Sequence, residues 1–271
     1  MYFTEGNMSN ISNPNLNVVM QYASLVIQSS TDTDQSIDVF FWLEDYYEDV
    51  LECWIKPQKV TTIHKYIEYI VVYSIEYLLD KHFPVVGIIE MFSILENYDI
   101  DYSKVGRLDI SEFAYDDSTE ELEEYASQLF NLFLKVALDH FVNDVFTNLF
   151  WNKNFLYEFN IQCAQYIGKI KKDKYPEILK ENGILYRAKY VPAWLKNAII
   201  YRDKNRCSIC GCDLSKAHTT VTKENFDHII PLQNGGNNDP SNWQLTCEQC
   251  NKSKGCRSDN FTNVVMPFWE M

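Results

Sequence analysis

The stretch "NFDHIIPLQNGGNNDPSNWQLTCEQCNKSKG", residues 225–255, gathers several groups able to do chemistry. His228 directly follows Asp227, Asn242 stands fourteen residues after the histidine, and Asn251 nine further on. A neutral imidazole can take a proton near neutral pH. Carboxylate and amide oxygens are hard donors of the kind Mg²⁺ or Mn²⁺ accepts. Cys247-x-x-Cys250 lies in the same stretch, and Cys207-x-x-Cys210 precedes it with 36 residues between the pairs. A CxxC turn lets two sulfurs reach one ion, and a tetrahedral Zn²⁺ takes four such ligands, so Cys207, Cys210, Cys247 and Cys250 are expected to hold a structural zinc. Cys212 and Cys256 are extra, as substitute ligands or free thiols, and Cys53 and Cys163 fall in helical patterns that mark core positions.

These groups need elements to position them. "VPAWLKNAIIYRDKNRC" (191–207) reads as a short helix leading into the first cysteine pair. A turn-rich, β-tending segment follows to Pro231, then a loop in which Gly235-Gly236 permit a sharp turn, then a short helical end. Adjacent strand residues point to opposite faces, so Asp227 and His228 can both face one ion only if the strand bends or bulges there. A unit of about 65 residues with this layout needs a staple, and a metal supplies one.

The rest of the chain reads as helices. In 36–55 apolar residues recur at Val39, Leu43, Tyr46, Tyr47, Val50, Leu51 and Trp54, the spacing of one buried helix face. The stretch 61–83 repeats the period beyond Pro57, 85–98 supplies a third helix, and 118–151 opens with a Ser/Thr–Glu cap and acids at its N-terminal end. The expected fold class is therefore mostly α, with an all-α N-terminal domain and a small C-terminal domain stapled by the four cysteines. The polar, basic stretch 169–177 marks the boundary: 1–175 is an acidic, all-α regulatory or partner-binding domain, 187–258 the metal-bearing domain, and 259–271 a tail.

Charge divides the chain in the same way. Residues 1–186 hold 13 Lys+Arg against 30 Asp+Glu, a net of −17, whereas 187–258 hold 11 against 6, a net of +5. The second part suits a polyanion and the first is repelled by one. No apolar run approaches the roughly 18 residues of a membrane span, and the N-terminus lacks the pattern of a signal peptide, so a cytoplasmic protein with no membrane partner is expected. In that reducing compartment eight cysteines favour metal binding or free thiols over disulfides. His64, His82 and His140 lie in helical patterns and read as structural, while His218 reads as a loop histidine or a second zinc or phosphate contact.

"YRDKNRCSICG" followed by "FDHIIPLQNGGNNDPSNWQLTCEQCNKSKG" resembles the HNH endonucleases, the zinc-stapled branch of the ββα-metal nucleases. The resemblance covers about residues 191–257, and Asn251 stands where the third signature position is often histidine. It implies hydrolysis of phosphodiester bonds, most readily in DNA, giving 5′-phosphate and 3′-hydroxyl ends. Asp227 and Asn251 would hold a catalytic Mg²⁺ or Mn²⁺, which acts as Lewis acid and template. His228 would be the general base, Asn242 the asparagine that fixes the loop by bonding backbone near the histidine, and Lys252 and Lys254 the contacts to phosphate. Double-strand cleavage needs two active sites, which points to a homodimer. The acidic helical part suggests a protein partner or a restraint, and with it an effector of prokaryotic antiviral defence or restriction. A homing nuclease of a mobile element and a non-catalytic zinc module are the alternatives.

Overall fold

The computed structural model describes residues 14–31, 37–81, 83–106, 108–215 and 223–257. His82, His218 and the expected tail 259–271 lie outside the described residues. Helices α1 (Pro14–Thr31), α2 (Val39–Ile55), α3 (Thr62–Asp80), α4 (Pro84–Asn97), α5 (Glu120–Val136), α6 (Leu138–Phe150) and α7 (Lys153–Ile167) come first in the chain. A small hairpin, β1 (Leu179–Glu181) and β2 (Ile184–Leu185), leads to helix α8 (Ala193–Arg202). A second antiparallel hairpin, β3 (Glu224–His228) and β4 (Trp243–Cys247), runs into helix α9 (Glu248–Lys254). The mostly helical class with a small C-terminal ββα element is as expected.

Local chemistry explains the element ends. Asp38 caps α2 by accepting a 2.8 Å bond from Phe41 N. Thr119 caps α5, whose first turn carries Glu120, Glu121 and Glu123 at the positive end of the helix dipole. The stretch 118–151 is two helices, broken at Ala137, rather than one. On α2 the buried face is Val39, Trp42, Leu43, Val50, Cys53 and Trp54, while Tyr46 is exposed.

The chain forms two compact units, one from Met1–Gln28 with Ile67–Asn148 and the other from Ser29–Tyr66 with Leu149–Met271. In the first, α4 packs along α5, and Ile88, Met91, Leu122, Leu129 and Phe133 are buried. In the second, α2 packs on α7, and Tyr66 sits edge-on to Trp42 with its hydroxyl donating 2.8 Å to Ile37 O. Residues 1–175, expected as one helical domain, thus contribute to both units. The second unit also holds the cysteines and the ββα element, whose own core joins Leu195, Ile199, Leu214, Trp243 and Leu245.

No helix among the described residues is long and apolar enough to cross a membrane.

Candidate active site and metal centre

The metal centre is built from two turns. Cys207 and Cys210 lie just after α8, and Cys247 and Cys250 at the junction of β4 and α9, where Cys247 Sγ caps the helix by accepting from Cys250 N at 3.3 Å. All four sulfurs lie within 4.8 Å of one another, and Cys210 and Cys247 approach to 3.9 Å. Tetrahedral Zn–S bonds of about 2.3 Å put sulfurs about 3.8 Å apart, so the cluster fits Zn²⁺ in size and in ligand type. Burial acts to raise the Cys210 thiol, yet bonds from the Cys212 backbone and the neighbouring thiols hold it down to about 7. Burial pushes Cys207 and Cys250 upward and Cys212 up to about 12. Cys256 is exposed, with its thiol on Gln233 Oε1 at 3.0 Å.

β3 and β4 pair in unbroken register, Asp227 opposite Gln244 and His228 opposite Trp243. The expected bulge between Asp227 and His228 is not there; the chain bends after His228, at Ile229 and Ile230. In a regular strand the two side chains therefore take opposite faces. On the α9 side, Asp227 Oδ2 accepts from Lys254 Nζ at 2.7 Å, and the same ammonium donates to the His228 carbonyl. On the other side, the His228 ring lies against the Trp243 indole with centroids 4.0 Å apart.

His228 is buried, and its Nε2 has no hydrogen-bond partner among the described residues. Burial first, then the positive charges of Arg187 and Lys254, hold its pKa down to about 3, against a bond with the Asn238 side chain that acts upward. The imidazole is therefore neutral at physiological pH.

Asn242 spends its whole amide on backbone. Its Oδ1 accepts from Ile230 N at 2.8 Å, and its Nδ2 donates to Ile230 O at 3.0 Å and Asn237 O at 2.9 Å. Fully buried, it ties the chain just after β3 to the loop that returns to β4. Asn251 lies on α9 one turn before Lys254, on the same side of the helix. Lys252 is exposed and pairs with Glu248 at 2.7 Å. Lys254 is buried and bonded to the strand, so its ammonium is not turned to solvent.

The loop itself, an Asn-rich surface turn by composition, is a buried polar layer. Asn238 donates to Trp54 O, Ile55 O and Tyr186 O and accepts from Ala188 N at 2.9 Å. Asp239 accepts from Thr62 N at 2.7 Å and Thr62 Oγ1 at 2.9 Å, and Asn237 donates to Asn160 at 3.3 Å. A Cβ on Gly235 would stand 2.5 Å from Ala164 O on α7, and one on Gly236 only 1.9 Å from Ile230 O, so both positions require glycine. Residues of α2, α3 and α7 are thus the bed on which the His228 loop is laid.

Sequence reasoning missed Arg187, Asn238 and Trp243 as neighbours of His228. The acid-free run from Asn182 to Arg202 is the only one-dimensional signal for Arg187. Asn238 and Trp243 carry none.

No curated protein and no solved structure matches the chain. Residues 207–257 do match the family model described as HNH endonuclease, in agreement with the resemblance seen in the residues.

Proposed function

We propose that the protein is a metal-dependent endonuclease that hydrolyses phosphodiester bonds of nucleic acid, DNA first. The observation that carries this is a neutral His228 with an unpartnered, buried Nε2, held by Trp243 and by the Asn242-braced loop inside the HNH-matched segment. An unpartnered buried nitrogen costs stability unless a water or a substrate group reaches it, and a nitrogen of this kind inside the HNH-matched segment is suited to take a proton from such a water.

Asp227 and Asn251 are the oxygen donors that would hold Mg²⁺ or Mn²⁺. When bound, that ion supplies Lewis-acid stabilisation of the phosphoryl oxygens and of the departing 3′-oxygen. Asp227 contributes a single negative charge, and Lys254 orients its carboxylate. His228 Nε2 takes the proton of the water that attacks phosphorus as the bond to the 3′-oxygen breaks. Asn242 keeps the ring from swinging.

The four-cysteine centre staples β4, α9 and the Cys207 turn together. Zn²⁺ is the ion whose softness and tetrahedral preference match it. The acidic helical residues take no part in binding a polyanion. Their charge supports a role in restraining the nuclease or docking a protein partner, as in a controlled effector of antiviral defence or restriction.

A non-catalytic zinc module that binds nucleic acid is the second reading, favoured by the Lys254–Asp227 ion pair, which already neutralises the carboxylate. Plasmid nicking separates the two. A nuclease cuts with Mg²⁺ or Mn²⁺, stops with EDTA, and fails as His228→Ala while keeping zinc and fold. Cutting by that variant at the parent rate ends the proposal.

A further inference from the structure

The segment Tyr186–Lys196 lies outside the HNH-matched residues yet reaches the same site. It belongs to a run, Asn182–Arg202, without a single Asp or Glu in a chain of net charge −14. Arg187 is exposed, and its guanidinium carbon stands 5.6 Å from the Trp243 ring centroid, the ring that His228 lies against. The backbone on both sides of Arg187 is bolted to one buried asparagine: Asn238 donates to Tyr186 O at 2.9 Å and accepts from Ala188 N at 2.9 Å. That pins Arg187 more firmly than an exposed arginine needs for solubility.

A second cation borders the same hairpin. Lys196, exposed on α8, lies 5.7 Å from the Phe226 ring centroid. Phe226 and His228 are two apart on β3 and so share a face. Between the two cations in sequence, Lys189 is exposed and Tyr190 is 74% exposed. Phosphate-binding arginine, spaced lysines and exposed tyrosine are the parts of a nucleic-acid track.

From this geometry we infer that Arg187 is a substrate-binding residue of the nuclease site, gripping the phosphate beside the scissile one, and that Lys189 and Lys196 continue the track along the strand. The inference rests on the nuclease reading above and extends it beyond the HNH-matched residues. Asp227 and His228 point to opposite faces of β3, so a phosphate served by both lies at the strand's C-terminal end. Asn238 holds Arg187 at that end.

The test uses the full chain with zinc bound. Arg187→Met keeps an unbranched side chain and removes the charge that stands by Trp243. Arg187→Lys restores charge without the two-pronged donor geometry. Binding of a labelled DNA duplex is read by fluorescence anisotropy across a salt series with no chelator and no added Mg²⁺ or Mn²⁺, and cleavage is read separately with Mg²⁺. Arg187→Met is expected to weaken binding about tenfold and to lower the slope of log affinity against log salt by about 0.9, the loss of one phosphate contact. Cleavage efficiency is expected to fall about a hundredfold, with Arg187→Lys recovering binding more than cleavage. Lys135→Ala, an equal charge change on α5, should leave the slope where it was. A salt slope and cleavage rate unchanged in Arg187→Met, while His228→Ala abolishes cutting, overturn this inference and leave the nuclease reading intact. A parent chain that neither binds nor cuts DNA overturns both.

Discussion

Lys254 Nζ lies 2.7 Å from Asp227 Oδ2 and also donates to the carbonyl of His228, so one buried ammonium on α9 holds both chemistry-bearing residues of β3. The lysine has the family's spacing for a phosphate contact, but burial turns it inward. Its charge orients the carboxylate.

Replacing Lys254 with methionine keeps the stem and strips the charge from a nearly fully buried position. Asp227 is then left largely buried without its cation, and chain stability is expected to drop by about 3 kcal/mol. Urea denaturation followed by tryptophan fluorescence measures the drop. An unchanged midpoint would mean that the pair contributes nothing.

Asn242→Ala removes three hydrogen bonds from a fully buried site and leaves Ile230 and Asn237 backbone groups unpaired. The expected cost is about 3 kcal/mol, with cleavage lost in proportion to the loosening of the His228 loop. Asn242→Asp should be worse, because a carboxylate would face the Ile230 and Asn237 carbonyls that Nδ2 now serves. Thermal melts of the two variants rank them directly.

Asp203 gives the chain an acid-sensitive lock. Burial acts to raise its pKa, but the Arg202 charge and bonds, Lys153 at 3.3 Å and the Leu245 N–H outweigh it and hold the pKa below the ordinary carboxylate range. A depressed folded pKa means a stabilising contribution present above the unfolded value near 3.9 and lost as pH falls through the folded one. Stability measured between pH 6 and pH 2 should therefore decline on the acid side, and Asp203→Asn should flatten that limb while lowering stability at pH 6.

Zinc removal should act as an unfolding agent for the ββα element. Thiolates must be deprotonated and gathered by the ion, and a unit this small has little core to fall back on. A chelator strong enough to strip zinc is expected to alter the near-ultraviolet signal of buried Trp243, and Cys247→Ser to reduce zinc content as purified. Retention of the Trp243 signal after stripping would show a core that stands without metal.

The cysteine pairs, the Asp-His step and the helical periods are local features, so the residues alone determined the four-thiolate centre, the HNH resemblance and the predominantly helical class. Four-residue Cys-x-x-Cys turns and helix periods need no knowledge of distant partners. The Asn237–Asp239 loop depended on distant partners altogether. Its bonds to Trp54 and Thr62 span 184 and 177 residues, and composition marks such a loop as solvent-facing. Tertiary structure likewise decided that Lys254 turns inward to Asp227, that β3 stays regular through Asp227 and His228 and bends only after them, and that Arg187 stands by the Trp243 ring. The physical reason is the same in each case: a polar side chain goes wherever its hydrogen bonds and counter-charges can be satisfied on burial, and for these residues the partners lie on other elements of the chain.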